Sequence, residues 1–467
     1  MAILHGLAPT AIERCRVLEV ACGDGANLIP MAYAIPGSEF VGFDLARLPV
    51  ERAQARIAEL GLKNVRILER DILSRCDDLG RFDYIIAHGF YAWTPAAVRD
   101  RLLQLCGEAL TADGIAFISY NAKPAGHVRS MIREMMLQRV EGIDDLRQQV
   151  AAGIEFLRSV AESRPQQDVY RELIEKELKR LEPHDPGVTG HDELSEAYEP
   201  VQFTEFVQHA RRHELAYLDE AVLPPPTDPV YREDVRRFVD GASGGDFIKQ
   251  EQLLDFVRMR GFRETLLVRA GSKIERDVSP QSFRRLLLAS QATPAAAEKP
   301  GSRSFVLPGG VRMESNHPAI TALLEKLGNV WPSALSFQEI EPMLAENGLI
   351  LDSDGAALLI RLAVAQMIEL RSWHIPVAPA ISERPKASAY ARQEARMHGF
   401  ATSLLHTRIA LEDEKTRHLL EAMDGSRDRG GLFAAMSAAF PEMAAEELQK
   451  GLEQSLRLLQ RAGVLEA

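Results

Sequence analysis

The first 120 residues alternate short apolar runs of strand length with segments of helix length, and this alternation constrains the fold more than any other feature of the chain. The runs fall at residues 16–20, 39–43, 65–68, 84–87 and 115–120. Between the second and third, Val50, Ala53, Ile57 and Leu60 recur at spacings of three and four, with Pro49 before them and Gly61 after them. That is an amphipathic helix with its start and stop signals. Val98, Leu102, Leu105 and Ala109 repeat the pattern. Strands joined by helical crossovers predict an α/β fold built on a parallel, doubly wound sheet. Residues 215–223 and 264–270 regain strand character after helical stretches and are expected to complete the same sheet. A separate helical domain from residue 123 onward fits the periodicity equally well.

With 467 residues the chain is too long for one core. The expected division is an α/β core at 1–125, helical insertions with the last strands at 126–275, a linker at 276–304 and a mostly helical, winged-helix-like domain at 305–467. The linker reading rests on the Pro-, Ala-, Gly- and Ser-rich stretch QATPAAAEKPGSRS. Apolar residues make up 46% and charged residues 26%, which excludes a disordered or collagen-like chain. The net charge of −12 disfavours a large nucleic-acid face. No apolar run is long enough for a membrane span, and no signal peptide is read at the N-terminus. Cys15, Cys22, Cys76 and Cys106 form no CxxC pair, so they read as small buried hydrophobes in a reducing, cytoplasmic setting.

The chemistry is concentrated in Glu19-Val20-Ala21-Cys22-Gly23-Asp24-Gly25-Ala26-Asn27, which joins the first strand to the first helix. Glycines there allow a tight turn and close approach of a ligand to the backbone. A dinucleotide fits poorly: Leu28 stands where the third glycine of that fingerprint belongs, and Glu19 and Asp24 would repel a pyrophosphate. The acids suit a cationic ligand without phosphate, such as S-adenosylmethionine. Asp44, at the end of the second strand, is placed to accept the ribose hydroxyls, and Asp71, after the third, to accept an adenine amino group. A turn or helix cap is the alternative role for Asp71.

The segments VLEVACGDG, VGFDLA, ERDI and FDYIIAHG resemble successive motifs of class I S-adenosylmethionine-dependent methyltransferases. The longer pieces NLIPMA, FDYIIAHGFYAWTP, SYNAKPAGH, IREMM, HDELSE and FRETLLVR resemble, more narrowly, the methyltransferases that carry a methyltransferase regulatory domain. That family includes rickettsial-type protein lysine methyltransferases acting on outer membrane proteins. The resemblance covers residues 8–272 and, more loosely, the winged-helix-like C-terminal part. It implies a Rossmann-like methyltransferase sheet with helical insertions, S-adenosylmethionine as cofactor and a protein lysine as acceptor. The implied cofactor-binding residues are Glu19, Cys22, Gly23, Asp24, Gly25, Asn27, Asp44, Leu45, Asp71, Ile72, Ala87 and His88. The chain departs from the pattern at Ala21, where a glycine is usual, and at Ala125-Gly126-His127, where Gly-Trp-His is usual.

Methyl transfer to an amine requires alignment and a neutral nucleophile, whereas a free lysine, with a pKa of about 10.4, is charged at neutral pH. Aromatic and hydroxyl groups at strand ends suit that task. The candidates for acceptor contact or catalysis are His88, Tyr91, Trp93, Tyr120 and Asn121, with Phe90 and His127 beside them. His88 also reads as a structural hydrogen-bonding group, and Tyr91 and Trp93 as core. His184-Asp185 and His191-Asp192-Glu193 superficially resemble metal ligands but have no known ligand spacing, so a loop and no metal are expected. A small-molecule acceptor, or a cofactor-binding regulator without activity, are the competing readings. The apolar face of Val128, Met131, Ile132, Met135 and Met136 serves either a homodimer contact or the chain's own core.

Overall fold

The computed structural model describes residues 1–182, 186–195, 197–225, 228–277, 279–297 and 299–467. Seven strands build the central sheet: β1 (Arg16–Val20), β2 (Glu39–Asp44), β3 (Val65–Glu69), β4 (Phe82–Ala87), β5 (Leu110–Asn121), β6 (Leu215–Glu220) and β7 (Phe262–Arg269), in the order β3-β2-β1-β4-β5-β7-β6. β1 to β5 are parallel, as the alternation predicts. β7 inserts between β5 and β6 and runs antiparallel to both, so the sheet is mixed rather than wholly parallel. An apolar run reads the same in either direction, which is why the reversal left no trace in the periodicity.

Three helices connect the parallel strands: α1 (Leu28–Ala34), α2 (Arg47–Leu60) and α3 (Ala96–Ala109). Gly61 ends α2 in the left-handed conformation, with φ +67°. Between β5 and β6 lie α4 (Ala125–Val140), α5 (Leu146–Glu162), α6 (Val169–Leu181), α7 (Pro186–Glu193) and α8 (Phe203–Arg212). Ile132 and Met136 of α4 are fully buried against Leu157 of α5 and Ile174 of α6. The methionine-rich face is therefore filled by the chain's own helices. Two more helices, α9 (Glu233–Ser243) and α10 (Phe247–Arg258), precede β7.

The stretch expected to be a linker contains strands among its described residues. Leu287–Ala289 pairs with Glu369–Arg371, while Thr293–Ala295, Arg303–Val306 and Arg312–Ser315 form a three-stranded antiparallel sheet. Leu288, Ala292 and Phe305 are buried with Leu323, Ile340 and Leu359. Pro and Gly mark tight antiparallel turns as readily as linkers, and composition alone does not separate the two. A further helical core follows in the same region, centred on Ala391, Leu419, Met436 and Leu456. Among the described residues no helix is long and apolar enough to cross a membrane.

Candidate active site

The loop between β1 and α1 is built from left-handed residues. Gly23 and Gly25 have φ of +55° and +73°, and Ala21 has φ +55° despite its Cβ. A Cβ on Gly25 would lie 2.5 Å from Ile67, so that position needs glycine for space as well as for conformation. The loop is tied to the second strand: Asp44 Oδ2 accepts the Gly23 N–H at 2.9 Å, and the Phe43 carbonyl accepts the Cys22 N–H at 3.1 Å. Asp44 Oδ1 takes the Ala46 N–H at 2.8 Å.

Because side chains alternate along a strand, the face on which a residue sits is set by its register. Glu19 pairs with Ile86, and Ile86 with Phe117, so all three share one sheet face. His88, Ser119 and Asn121 continue that face toward the carboxyl ends of β4 and β5. A cavity of about 760 Å³ opens against it, lined in part by Glu19, Asn27, Ile86, His88, Phe117 and Leu404. Most of its wall is apolar, and Glu19, His88 and His406 stand out from it.

Glu19 is 5% exposed. Its Oε1 accepts the Asn27 Nδ2–H at 2.8 Å, while its Oε2 is buried with no hydrogen-bond partner. Burial pushes its carboxyl up to about 7, against a smaller lowering by the Asn27 bond. A buried carboxylate with half of its hydrogen-bonding capacity unused is the complement of a cationic ligand. This is the observation by which the residues present fit a sulfonium- and ammonium-bearing cofactor. Burial, reinforced by Glu19 and Asp44, keeps the Cys22 thiol protonated. All four cysteines are free and buried, as their spacing suggested.

The remaining expected cofactor residues lie at the carboxyl ends of β2, β3 and β4. Asp71 is exposed and its Oδ1 caps the turn through the Leu73 N–H at 2.9 Å, while Ile72 is buried beside it. Leu45 is 71% exposed, and Ala87 is fully buried. Asp24 is half-buried and lies 3.8 Å from Arg56 of α2.

The structure separates the expected acceptor residues into two groups. Tyr120 is fully buried on the opposite sheet face, stacked on Phe206 at 4.2 Å, with its hydroxyl taking the Thr265 Oγ1–H at 3.3 Å. Tyr91 is likewise core, in edge contact with Phe206 and with its hydroxyl 2.7 Å from His209 Nδ1. Neither can touch a ligand, and the alternation of β5 explains why Tyr120 and its neighbour Asn121 cannot both face the cavity side. Asn121 is 6% exposed and its Oδ1 has no partner, which leaves a second orphan oxygen on the same face as Glu19. His88 is exposed, with Nδ1 3.0 Å from Ser119 Oγ, and that oxygen also accepts the Gly89 N–H at 2.8 Å. Ser119 thus fixes the ring and leaves Nε2 as the nitrogen able to meet a ligand.

Trp93 is half-buried against Tyr198, 4.7 Å between ring centroids, and the guanidinium groups of Arg129 and Arg133 lie over both rings. Phe90 packs on the sheet core and His127 is exposed at the start of α4. His184 and Asp185 lie outside the described residues. His191, Asp192 and Glu193 belong to a helix, α7, rather than a loop. Glu193 is fully buried between Arg129, at 2.6 Å, and Arg180, at 2.9 Å, so this segment is an ion-pair hub. A different trio, Asp100, His209 and His213, is compact enough to hold a metal ion. There Asp100 Oδ1 already meets both Nε2 atoms, at 2.9 and 2.8 Å.

Sequence reasoning missed Ser119, which is masked inside an apolar strand. It also missed three contacts made to the loop region by the last hundred residues. His406 Nε2 meets Asn27 Oδ1 at 2.7 Å, Glu394 approaches Arg56 at 3.6 Å, and Tyr33 of α1 is bonded to Glu466. No local signal marks such distant pairs.

Comparison with known proteins agrees with this architecture. Residues 18–116 match a methyltransferase domain, residues 186–269 a predicted methyltransferase regulatory domain, and residues 383–457 the C-terminal winged helix domain of PKMT. The uncharacterized protein RP789 of Rickettsia prowazekii is 28% identical over 460 residues, covering 93% of this chain and 81% of that protein. RP028 of the same organism is 32% identical over 212 residues, covering 45% of this chain and 84% of that protein. Among solved structures, PKMT2 from Rickettsia typhi in complex with AdoHcy superposes with a TM-score of 0.88 at 22% identity, covering 99% of this chain and 96% of that one.

Proposed function

The chain belongs to the family of these rickettsial proteins and is an S-adenosylmethionine-dependent methyltransferase, and from that premise we propose that it N-methylates lysine side chains of a protein. The observation that carries this reading is the apolar cavity reaching Glu19 and His88. Bound S-adenosylmethionine supplies the methyl group as an electrophile with a good leaving group. Glu19, Gly23, Asp24, Asn27, Asp44 and Asp71 are the residues that would hold it.

The chain's own task is to present a neutral amine. An ammonium moved from water to a wall made of Ile86, Ile115 and Phe117 loses solvation, and its pKa falls toward neutrality. The same wall fits the four-carbon stem of lysine. Asn121 Oδ1, an acceptor without a donor, suits the N–H of an incoming amine, and His88 Nε2 suits the removal or sharing of its proton. The PKMT winged helix match and the likeness to PKMT2 support a protein substrate. The resemblance to rickettsial lysine methyltransferases points further, to outer membrane proteins. A cytoplasmic enzyme would meet such proteins before their export.

The test is labelled methyl transfer from S-adenosylmethionine into an outer-membrane protein fraction and a whole lysate, followed by protease digestion and amino-acid analysis. Label in methylated lysine supports the proposal. Label confined to small molecules favours the second reading, a metabolite acceptor, which the cavity's volume of about 760 Å³ would also accommodate.

A further inference from the structure

The cofactor loop is completed from the other end of the chain. Asn27 donates its Nδ2–H to Glu19 Oε1 at 2.8 Å, so its Oδ1 is left as an acceptor. The group facing that oxygen is His406 Nε2, at 2.7 Å and 379 residues away in sequence. Since Oδ1 can only accept, the proton must sit on His406 Nε2, and the imidazole holds the Asn27 amide in the orientation that serves Glu19. His406 lies on the tight turn between the strands Phe400–Thr402 and Arg408–Ala410, with φ +60°, and it lines the same cavity as Glu19, Asn27 and His88.

Two further contacts bring the same C-terminal region onto the cofactor loop and its flanking helices. Arg56 of α2 bridges Asp24 of the loop, at 3.8 Å, to Glu394, at 3.6 Å, and donates to the Tyr390 hydroxyl at 2.9 Å. The Tyr33 hydroxyl, on α1, accepts the Ala389 N–H at 2.9 Å and is bonded to Glu466. One contact fixes a loop amide, one a loop carboxylate and one the helix that follows the loop.

We propose that the C-terminal domain is a working part of the cofactor site, with His406 as a positioning residue that acts through Asn27 to orient the Glu19 carboxylate. This inference rests on the assignment of Glu19 to the cofactor. The C-terminal domain and the loop that binds the methyl donor are then coupled. Displacing the Phe400–Ala410 hairpin loosens the donor, and binding the donor secures the hairpin, because such coupling is reciprocal.

The experiment is calorimetric titration of S-adenosylhomocysteine into the full-length wild type and the His406→Ala and His406→Gln variants, with thermal unfolding of each protein alone. Gln places an amide N–H at the reach of the imidazole Nε2. His406→Ala is expected to bind about 3- to 10-fold more weakly, with its unfolding temperature in the absence of ligand unchanged. His406→Gln should recover most of the loss. With a methyl acceptor in hand, the KM for the donor should rise in His406→Ala while kcat stays constant. Wild-type affinity in His406→Ala overturns the inference, as does a His406→Gln variant that binds no better than Ala. No binding by the wild type would instead remove the cofactor assignment itself, so the two failures are distinguishable.

Discussion

Replacing Glu19 by Gln should stabilise the ligand-free protein at alkaline pH while abolishing most of its affinity for the methyl donor. The magnitude follows from the carboxyl's environment. Its rise from an ordinary value of 4.5 to about 7 corresponds to a charging cost of about 3 kcal/mol. Because the folded state holds this proton more tightly than the unfolded chain, stability falls as pH rises from 4.5 to about 7 and is level above that. Gln removes the charge and keeps an oxygen for Asn27 Nδ2, but puts an unpartnered N–H where Oε2 lies, which takes back about 1–2 kcal/mol. The net expectation is a gain of about 1–2 kcal/mol at pH 8 and equal or lower stability at pH 5. Urea unfolding of wild type and variant at both pH values measures the difference, and titration with S-adenosylhomocysteine measures the loss of binding. A stability difference that is the same at pH 5 and pH 8 would refute the reasoning, since only a charge buried against its preference changes sign with pH.

Three further outcomes are expected. Ala21→Gly should stabilise the protein by about 0.5–1 kcal/mol, because Ala21 holds φ +55°, and thermal unfolding should show a higher midpoint. Arg263→Met should destabilise it by about 3–5 kcal/mol, since the fully buried guanidinium pairs with Glu220 at 2.7 Å and Asp255 at 2.9 Å, and its removal leaves both acids only the longer ion-pair contacts to Arg260, at 3.4 and 3.6 Å; urea unfolding checks this. Asn121→Ala should lower methyl transfer about tenfold while leaving S-adenosylhomocysteine affinity unchanged, a split visible by comparing turnover with calorimetry.

The donor end of the site was legible because its signals are local. Strand-length runs, glycines that must adopt positive φ, and an acid at each strand end all lie within a few residues of the motif they define. The period of two was equally available and could have divided Tyr120 from Asn121, since adjacent residues of one strand face opposite sides of a sheet. The direction of β7 was not legible, as an apolar strand carries no arrow. Residues 291–304 were read as a linker from composition, yet Ala292 and Phe305 just beyond are core, because hairpin turns draw on the same residue types. The most consequential gap was the C-terminal contribution. His406, Glu394 and Glu466 reach the cofactor loop and its flanking helices only after folding, and nothing in the sequence around them distinguishes them from other polar residues.

The central claim is that Glu19, buried and short of a donor, exists to receive a positively charged cofactor. Its most direct test is the pH dependence of S-adenosylhomocysteine affinity measured by calorimetry. Binding the ligand's ammonium requires an ionised Glu19, so affinity should be level above about pH 7 and fall about tenfold per pH unit below it, with proton release on binding in the acid range. Affinity that is flat from pH 5.5 to 8.5, or no binding at all, would contradict it.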